Sequence, residues 1–137
     1  MSVHAYIINK NGDFLMQKRS HLKKFRPLEW DFTGGAVCSG EDSRSAIKIE
    51  IFEELAIEVN EDSLYYLFSL KRESVFIDVF CYFTKKGLSE MKLQRYEINM
   101  AKFVSRSELI KIAEKNKEKI YRSFDHVSEA LKLIDLK

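Results

Sequence analysis

Gly35-Ala-Val-Cys-Ser-Gly-Glu41, followed nine residues later by Glu50-Ile-Phe-Glu53-Glu54, is the stretch on which the reading of this chain turns. At roughly 100° per residue, positions i, i+3 and i+4 share one face of a helix, so Glu50, Glu53 and Glu54 converge. Three carboxylates together repel one another unless a cation sits among them. A glycine-rich strand exit leading into such a helix is a place to hold a divalent ion against a phosphate. Acidic helix faces are more often simply solvated, because exposed like-charge pairs cost only a few tenths of a kcal/mol. Here the carboxylates keep specific company. Gly34, Gly35, Glu41 and the apolar positions Ile47, Ile51 and Leu55 all fit one spacing pattern, which favours a site over a solvated face.

Outward from this segment, the alternation of residue types places the other elements. Val3 to Asn9 reads as an apolar strand, Asn11-Gly12 as a turn and Phe14 to Arg19 as a second strand, together a hairpin. A basic loop from Ser20 to Leu28 leads into a strand ending at Gly34-Gly35. The helix after it is expected from about Ser43 to Leu55, ending near Ala56. Strands are expected at Leu64 to Lys71 and Val75 to Thr84. Ser105-Arg-Ser-Glu108 reads as a capping box opening a helix with Leu109, Ile110 and Ala113. Phe124, Val127, Leu131 and Ile134 stripe a last helix. Strands and helices in this order imply an α/β domain with helices covering a sheet.

Composition narrows the function classes. At 137 residues and 45% hydrophobic content, residues 1–137 are expected to form one domain with a substantial core. A net charge of +2 is too small to suggest a nucleic-acid-binding surface by itself, although Lys23, Lys24 and Arg26 cluster before Pro27. Cys38 and Cys81 offer neither metal-ligand spacing nor a disulfide framework, so a reducing, cytoplasmic setting is the simpler expectation. Without a signal-peptide pattern or an apolar run near 18 residues, neither export nor membrane insertion is expected.

The pattern around Gly35 resembles the Nudix box: Gly, five residues, Glu, seven residues, Arg-Glu, an aliphatic, any residue, Glu-Glu, any residue, Gly, an aliphatic. Gly35, Glu41, Glu50, Ile51, Glu53, Glu54 and Ile57 match it, while Ile49 stands where the family has Arg and Ala56 where it has Gly. Gly12-Asp-Phe-Leu-Met-Gln-Lys-Arg19-Ser and Trp30-Asp-Phe-Thr-Gly-Gly look like the family's hairpin and box-entry strand. Leu93-Gln-Arg-Tyr-Glu97-Ile, followed by Lys102-Phe-Val-Ser, looks like its later loop, so the resemblance covers about two thirds of the chain.

The resemblance implies an α/β/α sandwich with a mixed sheet and the box helix against it. It also implies metal-dependent hydrolysis of a diphosphate linkage in a nucleoside-diphosphate-type small molecule. Mg²⁺ or Mn²⁺ would neutralise and orient the diphosphate and acidify a bound water. Position by position, Glu53 and Glu54 would be metal ligands with the Gly35 carbonyl a further one. Glu50 would ligate metal or help activate water, and Glu41 would support the loop and its metal shell. Glu97 becomes a candidate ligand or general base, set against an ordinary exposed loop carboxylate. Oligomeric state stays open, a homodimer included.

Lys18 and Arg19 end a strand near this site and are candidates for binding phosphate, since guanidinium offers paired donors. Trp30 and Phe32 read as core before base pocket. His4, His21 and His126 receive no role. The family's Arg, one turn before Glu53, could pair with it; with Ile49 there the expectation is weaker metal binding by Glu53. Arg44 and Lys48 project elsewhere. Ala56 is expected to be a mild change if its φ stays negative. Two competing classes are a Nudix-fold binding module that has lost most catalysis, and an isoprenoid diphosphate isomerase. The latter is the weaker because Trp30 to Gly35 contains no Cys to act as its acid/base.

Overall fold

The apolar run near the N-terminus becomes the central strand of a mixed sheet. In the computed structural model, which describes residues 1–72, 74–116 and 126–137, β1 (Ser2–Ile8) carries Val3, Ala5, Tyr6 and Ile7 at full or nearly full burial. The Asn9 carboxamide oxygen accepts the N–H groups of Asn11 (3.0 Å) and Asp13 (2.9 Å), and Gly12 takes φ +79°; this turn leads into β2 (Phe14–Arg19). The chain then crosses from β3 (Trp30–Asp31), paired with β2, to β4 (Thr33–Ala36), paired with β1. The hairpin of β5 (Tyr65–Arg72) and β6 (Val75–Phe83) places β6 parallel to β1, and β7 (Ile98–Val104) runs antiparallel along β2. The order is β3-β2-β1-β6-β5, with β4 beside β1 and β7 beside β2.

Successive side chains of a strand point to opposite faces, so β1 and β2 feed two cores. Val3, Ala5, Ile7 and Leu15 meet α1 (Ser43–Leu55) through Ala46, Ile47, Ile51 and Leu55. Tyr6, Ile8, Phe14 and Met16 meet α2 (Arg106–Asn116) and α3 (Val127–Ile134) on the other side. Each of Ile47, Ile51 and Leu55 is fully buried, worth about 1.5–3 kcal/mol apiece relative to exposure. Asp42 caps α1 by accepting the Ser45 N–H at 2.7 Å, and Ser105 Oγ accepts the Glu108 N–H at 3.2 Å, the forward half of the expected capping box. The result is an α/β architecture with helices on both faces of a mixed sheet.

Three expectations change. The strand before the box is two short strands, because residues 30–36 leave β2 and join β1 with Phe32 between them. Residues 98–104, read as loop, form β7, since they gain a full partner in β2 from Phe14↔Val104 to Arg19↔Ile98. At the end of α1, Ala56 adopts φ +59°, ψ +36°, with its N–H bonded to the Phe52 carbonyl at 2.8 Å. The change from Gly is therefore not mild: an L-residue in this left-handed cap costs about 1–2 kcal/mol that glycine avoids. Phe124, expected in the last helix, lies outside the described residues; α3 begins at Val127.

Candidate functional site

Strand register brings the box against β1: Val3 pairs with Gly35 and His4 with Gly34. A methyl group on Gly35 would stand 2.5–2.8 Å from the carboxyl atoms of Glu50, and one on Gly34 would stand 2.3 Å from the Val3 carbonyl oxygen. Gly34 is demanded by the approach of the Val3 backbone, whereas at Gly35 the close neighbour is the movable end of the Glu50 side chain. The glycine at 35 is what lets a carboxylate lie directly against the backbone.

One turn further along α1, Glu54 faces the sheet and is only 5% exposed. Gln17 Nε2 donates to its Oε1 at 2.7 Å, and Thr33 Oγ1 donates to Gln17 Oε1 at 2.7 Å, so a buried chain from β4 through β2 fixes the carboxyl. Its Oε2 is buried without a partner among the described residues. Burial holds the Glu54 carboxyl well above the usual range; the charges of Glu50 and Glu97 add to this, and the Gln17 bond offsets only part of it. Glu50 is raised as well, chiefly by burial and then by Glu53 and Glu97. These groups gather negative charge that the protein alone leaves incompletely neutralised.

They line a cavity of about 390 Å³. Gly35, Glu50, Glu54, Glu97 and Arg19 all border it, as do Gln17, His4, Asp31, Phe32, Lys23 and Arg26. Glu53, Glu41 and Lys18 do not. Glu53 is exposed on the outer side of α1, in a shallow groove with Lys48, Ile49 and Phe52, although its charge reaches Glu50. Glu41 accepts the Cys38 N–H at 2.9 Å and so closes the loop before α1. Lys18 alternates to the opposite face of β2 from Gln17 and Arg19, where its Nζ lies 6.0 Å from the Trp30 ring centroid. Trp30 packs against the α2/α3 core, while Phe32 both joins that core and borders the cavity.

Ile49 is 42% exposed, so the position vacated by the family's Arg is a surface one. Arg44 does not replace it: its guanidinium donates to the carbonyls of Glu61 (3.1 Å) and Leu64 (2.6 Å) and lies 5.3 Å from the Phe80 ring.

Above the carboxylates sits the basic loop. Arg19 donates from Nε and a terminal nitrogen to the Phe25 carbonyl (3.1 and 3.0 Å), Arg26 pairs with Asp31 at 3.2 Å, and Lys23 pairs with Glu97. Arg26 and Leu28 both take positive φ, +50° and +63°, in turning it.

Sequence reasoning missed Gln17, Thr33, Asp31, Lys23 and Arg26 as site residues. Period-two alternation from Arg19 would have reached Gln17; the others depend on tertiary crossing. The histidines far apart in sequence also meet: His4 and His126 have ring centroids 5.9 Å apart, and His126 Nδ1 shares a 2.7 Å hydrogen bond with the Tyr6 hydroxyl. Burial lowers His126 to about 3, so its imidazole is neutral near pH 7.

Among the described residues no three His, Cys, Asp or Glu side chains already stand in an ion-enclosing arrangement. The donors nonetheless suit a hard cation. They are oxygens, one buried and unpartnered at Glu54 Oε2, beside a backbone kept open by Gly35. No helix among the described residues is long and apolar enough to cross a membrane.

The family model described as a NUDIX domain matches residues 1–124. An uncharacterized Nudix hydrolase of Listeria monocytogenes is 34% identical over 108 residues, which are 78% of this chain and 64% of that protein; the chain thus spans just under two thirds of this relative's length. Among solved structures, a Deinococcus radiodurans protein superposes with TM-score 0.72 at 24% identity, over 96% of this chain and 80% of that one. The NUDIX domain of Shewanella oneidensis NrtR, cocrystallised with ADP ribose, gives 0.66 at 14% identity, over 97% and 86%. At these identities the structural likenesses speak for the fold.

Proposed function

This chain belongs to the Nudix family, and on that premise we propose that it is a metal-dependent hydrolase of a diphosphate linkage in a nucleoside-diphosphate-type small molecule. The observation that carries the reading is the meeting of Glu50, Glu54 and Glu97 in one cavity with Gly35, beneath a rim of Arg19, Lys23 and Arg26. Anionic floor and cationic rim together match a divalent ion with a diphosphate on top of it.

Glu54, Glu50 and the Gly35 carbonyl would hold the ion, with Glu53 contributing from the helix edge and Glu41 keeping the loop closed. A bound Mg²⁺ or Mn²⁺ would supply charge neutralisation of the diphosphate and a more acidic water. Glu97 would take the proton of the attacking water, and Arg19 would donate paired hydrogen bonds to phosphate oxygens once it exchanged the Phe25 carbonyl for them. Gln17 and Thr33 orient Glu54. Lys18, on the far face, has no part in this reading. The ADP ribose bound by the Shewanella domain supports a nucleotide-type substrate, with Phe32 the aromatic surface at the cavity. We take residues 1–137 as one Nudix-like unit working in the cytoplasm, in keeping with two free cysteines.

Metal-dependent phosphate release across a panel of nucleoside diphosphate derivatives tests the activity. The second reading is a binding module without turnover, to which Ile49 in place of the box Arg points. A ligand-induced rise in melting temperature with no product would establish it and overturn the hydrolase.

A further inference from the structure

We propose that Lys23 is a diphosphate-positioning residue that exchanges partners: it holds Glu97 in the free enzyme and passes to the substrate's phosphate oxygens on binding, releasing the Glu97 carboxylate to the site. The inference rests on the functional reading above. Glu97 is electrically close to the box, since its charge raises both Glu50 and Glu54, yet its own carboxylate is already paired with the Lys23 ammonium. As long as that pair stands, Glu97 contributes less negative charge to an ion and has one oxygen engaged.

The pair is built by the backbone. Ser20, fully buried, donates its N–H to the Glu97 carbonyl at 2.9 Å, and the Lys23 N–H donates to the Ser20 carbonyl at 3.2 Å in a tight turn. Lys23 is therefore tethered one turn from Glu97, while only its side chain needs to move to exchange partners. The other two rim cations are differently placed: Arg26 meets Asp31, and Arg19 meets a neutral carbonyl. Lysine suits an exchanging role, because its ammonium is a point charge on a flexible stem with rotatable donors, free of the planar geometry that fixes guanidinium. The side chains of the pair are 28% and 45% exposed, so it is solvent-screened and readily displaced. A diphosphate offers more charge and more acceptor oxygens than one carboxylate and would win the ammonium.

Calorimetric Mn²⁺ titration in the absence of any substrate gives a readout independent of turnover. Lys23→Gln keeps the stem and removes the charge; it should tighten Mn²⁺ binding by about 3- to 10-fold, the size of a modestly screened charge effect. The gain should vanish in the Lys23→Gln, Glu97→Gln double variant, which should match Glu97→Gln alone. Methylene diphosphonate, a non-hydrolysable diphosphate, should bind Lys23→Gln about 10-fold more weakly, as expected for one lost charge-assisted contact. Lys23→Arg, with thermal melting confirming that each variant is folded, should keep the weaker, wild-type Mn²⁺ affinity. Unchanged or weaker Mn²⁺ binding in a folded Lys23→Gln would overturn the exchange and leave Lys23 as a loop tie. Failure of the wild type itself to bind Mn²⁺ would instead overturn the metal-dependent reading, and this proposal with it.

Discussion

Ile51 on the inner face of α1 is fully buried while Ile49, two residues earlier on the outer face, is 42% exposed; Glu54 is 5% exposed while its neighbour Glu53 is exposed. The same residue types, alternating within a single turn, thus meet opposite environments. Against the sheet, Glu54 loses water, gains Gln17 and sits beside Glu50, so its protonated form is favoured. On the outer face Glu53 keeps its water. What differs is what lies across from each, which teaches that a row of helix carboxylates is not a row of equivalent ligands.

The largest test of that contrast is paired. Glu54→Gln should lower metal-dependent hydrolysis by more than about 100-fold, beyond the 10- to 100-fold typical of a lost outer partner, and Glu53→Gln by clearly less. Steady-state rates at saturating Mg²⁺ decide it, and equal losses would erase the distinction between the faces. Gln17→Leu removes the buried donor to Glu54; a loss of about 10- to 100-fold is expected, with a weaker apparent Mg²⁺ affinity as the sign that orientation is what failed.

Stability against pH sharpens the same comparison without any substrate. The folded-state pKa of Glu54 is raised, so the folded protein holds this proton after the unfolded chain, with its ordinary value of about 4.3, has released it. Its contribution is favourable at low pH and is lost as pH rises from there toward the folded pKa. His126, lowered to about 3, acts oppositely, losing stability as pH falls below about 6.5. In metal-free protein, Glu54→Gln should melt higher than wild type at pH 8 and converge with it toward pH 4. A Glu54→Gln melting point below wild type at pH 8 would contradict the buried, unneutralised carboxylate.

At the end of the same helix, Ala56→Gly relieves the left-handed cap. A gain of about 1 kcal/mol, less glycine's greater unfolded-state freedom, should raise the melting temperature by roughly 2–5 °C with activity unchanged. Smallest is the outer face itself. Ile49→Arg restores an i,i+4 partner for Glu53 on an exposed surface, where such pairs give about 0.3–0.5 kcal/mol. A change of about 2-fold in Mg²⁺ affinity or turnover is expected, and because Ile49 is exposed no sharp fall in melting temperature should accompany it. A large gain would mean that Glu53 reaches further into the site than its exposure indicates.

The box helix was legible because its signals are local. Apolar spacing at Ile47, Ile51 and Leu55 gives Ser43–Leu55 from local sequence, and the hairpin of β1 and β2 follows from Asn11-Gly12 between two apolar runs. Segment 98–104 was not legible as β7, since its half-exposed, mixed residues become a strand only by pairing along β2. The left-handed φ of Ala56 was equally hidden, because the residue type argues against it and only the folded backbone torsions show it.

For the site the division is similar. The sequence by itself determined which carboxylates share a helix and that two glycines precede them, because i, i+3 and i+4 spacing and strand alternation are fixed by backbone geometry. Only the tertiary structure decided which glutamates became a site. Glu54 rather than Glu53 is buried, Gln17 and Thr33 come to it from two strands, and Lys23 crosses to Glu97, because desolvation and ion pairing depend on what other segments place within a few ångströms.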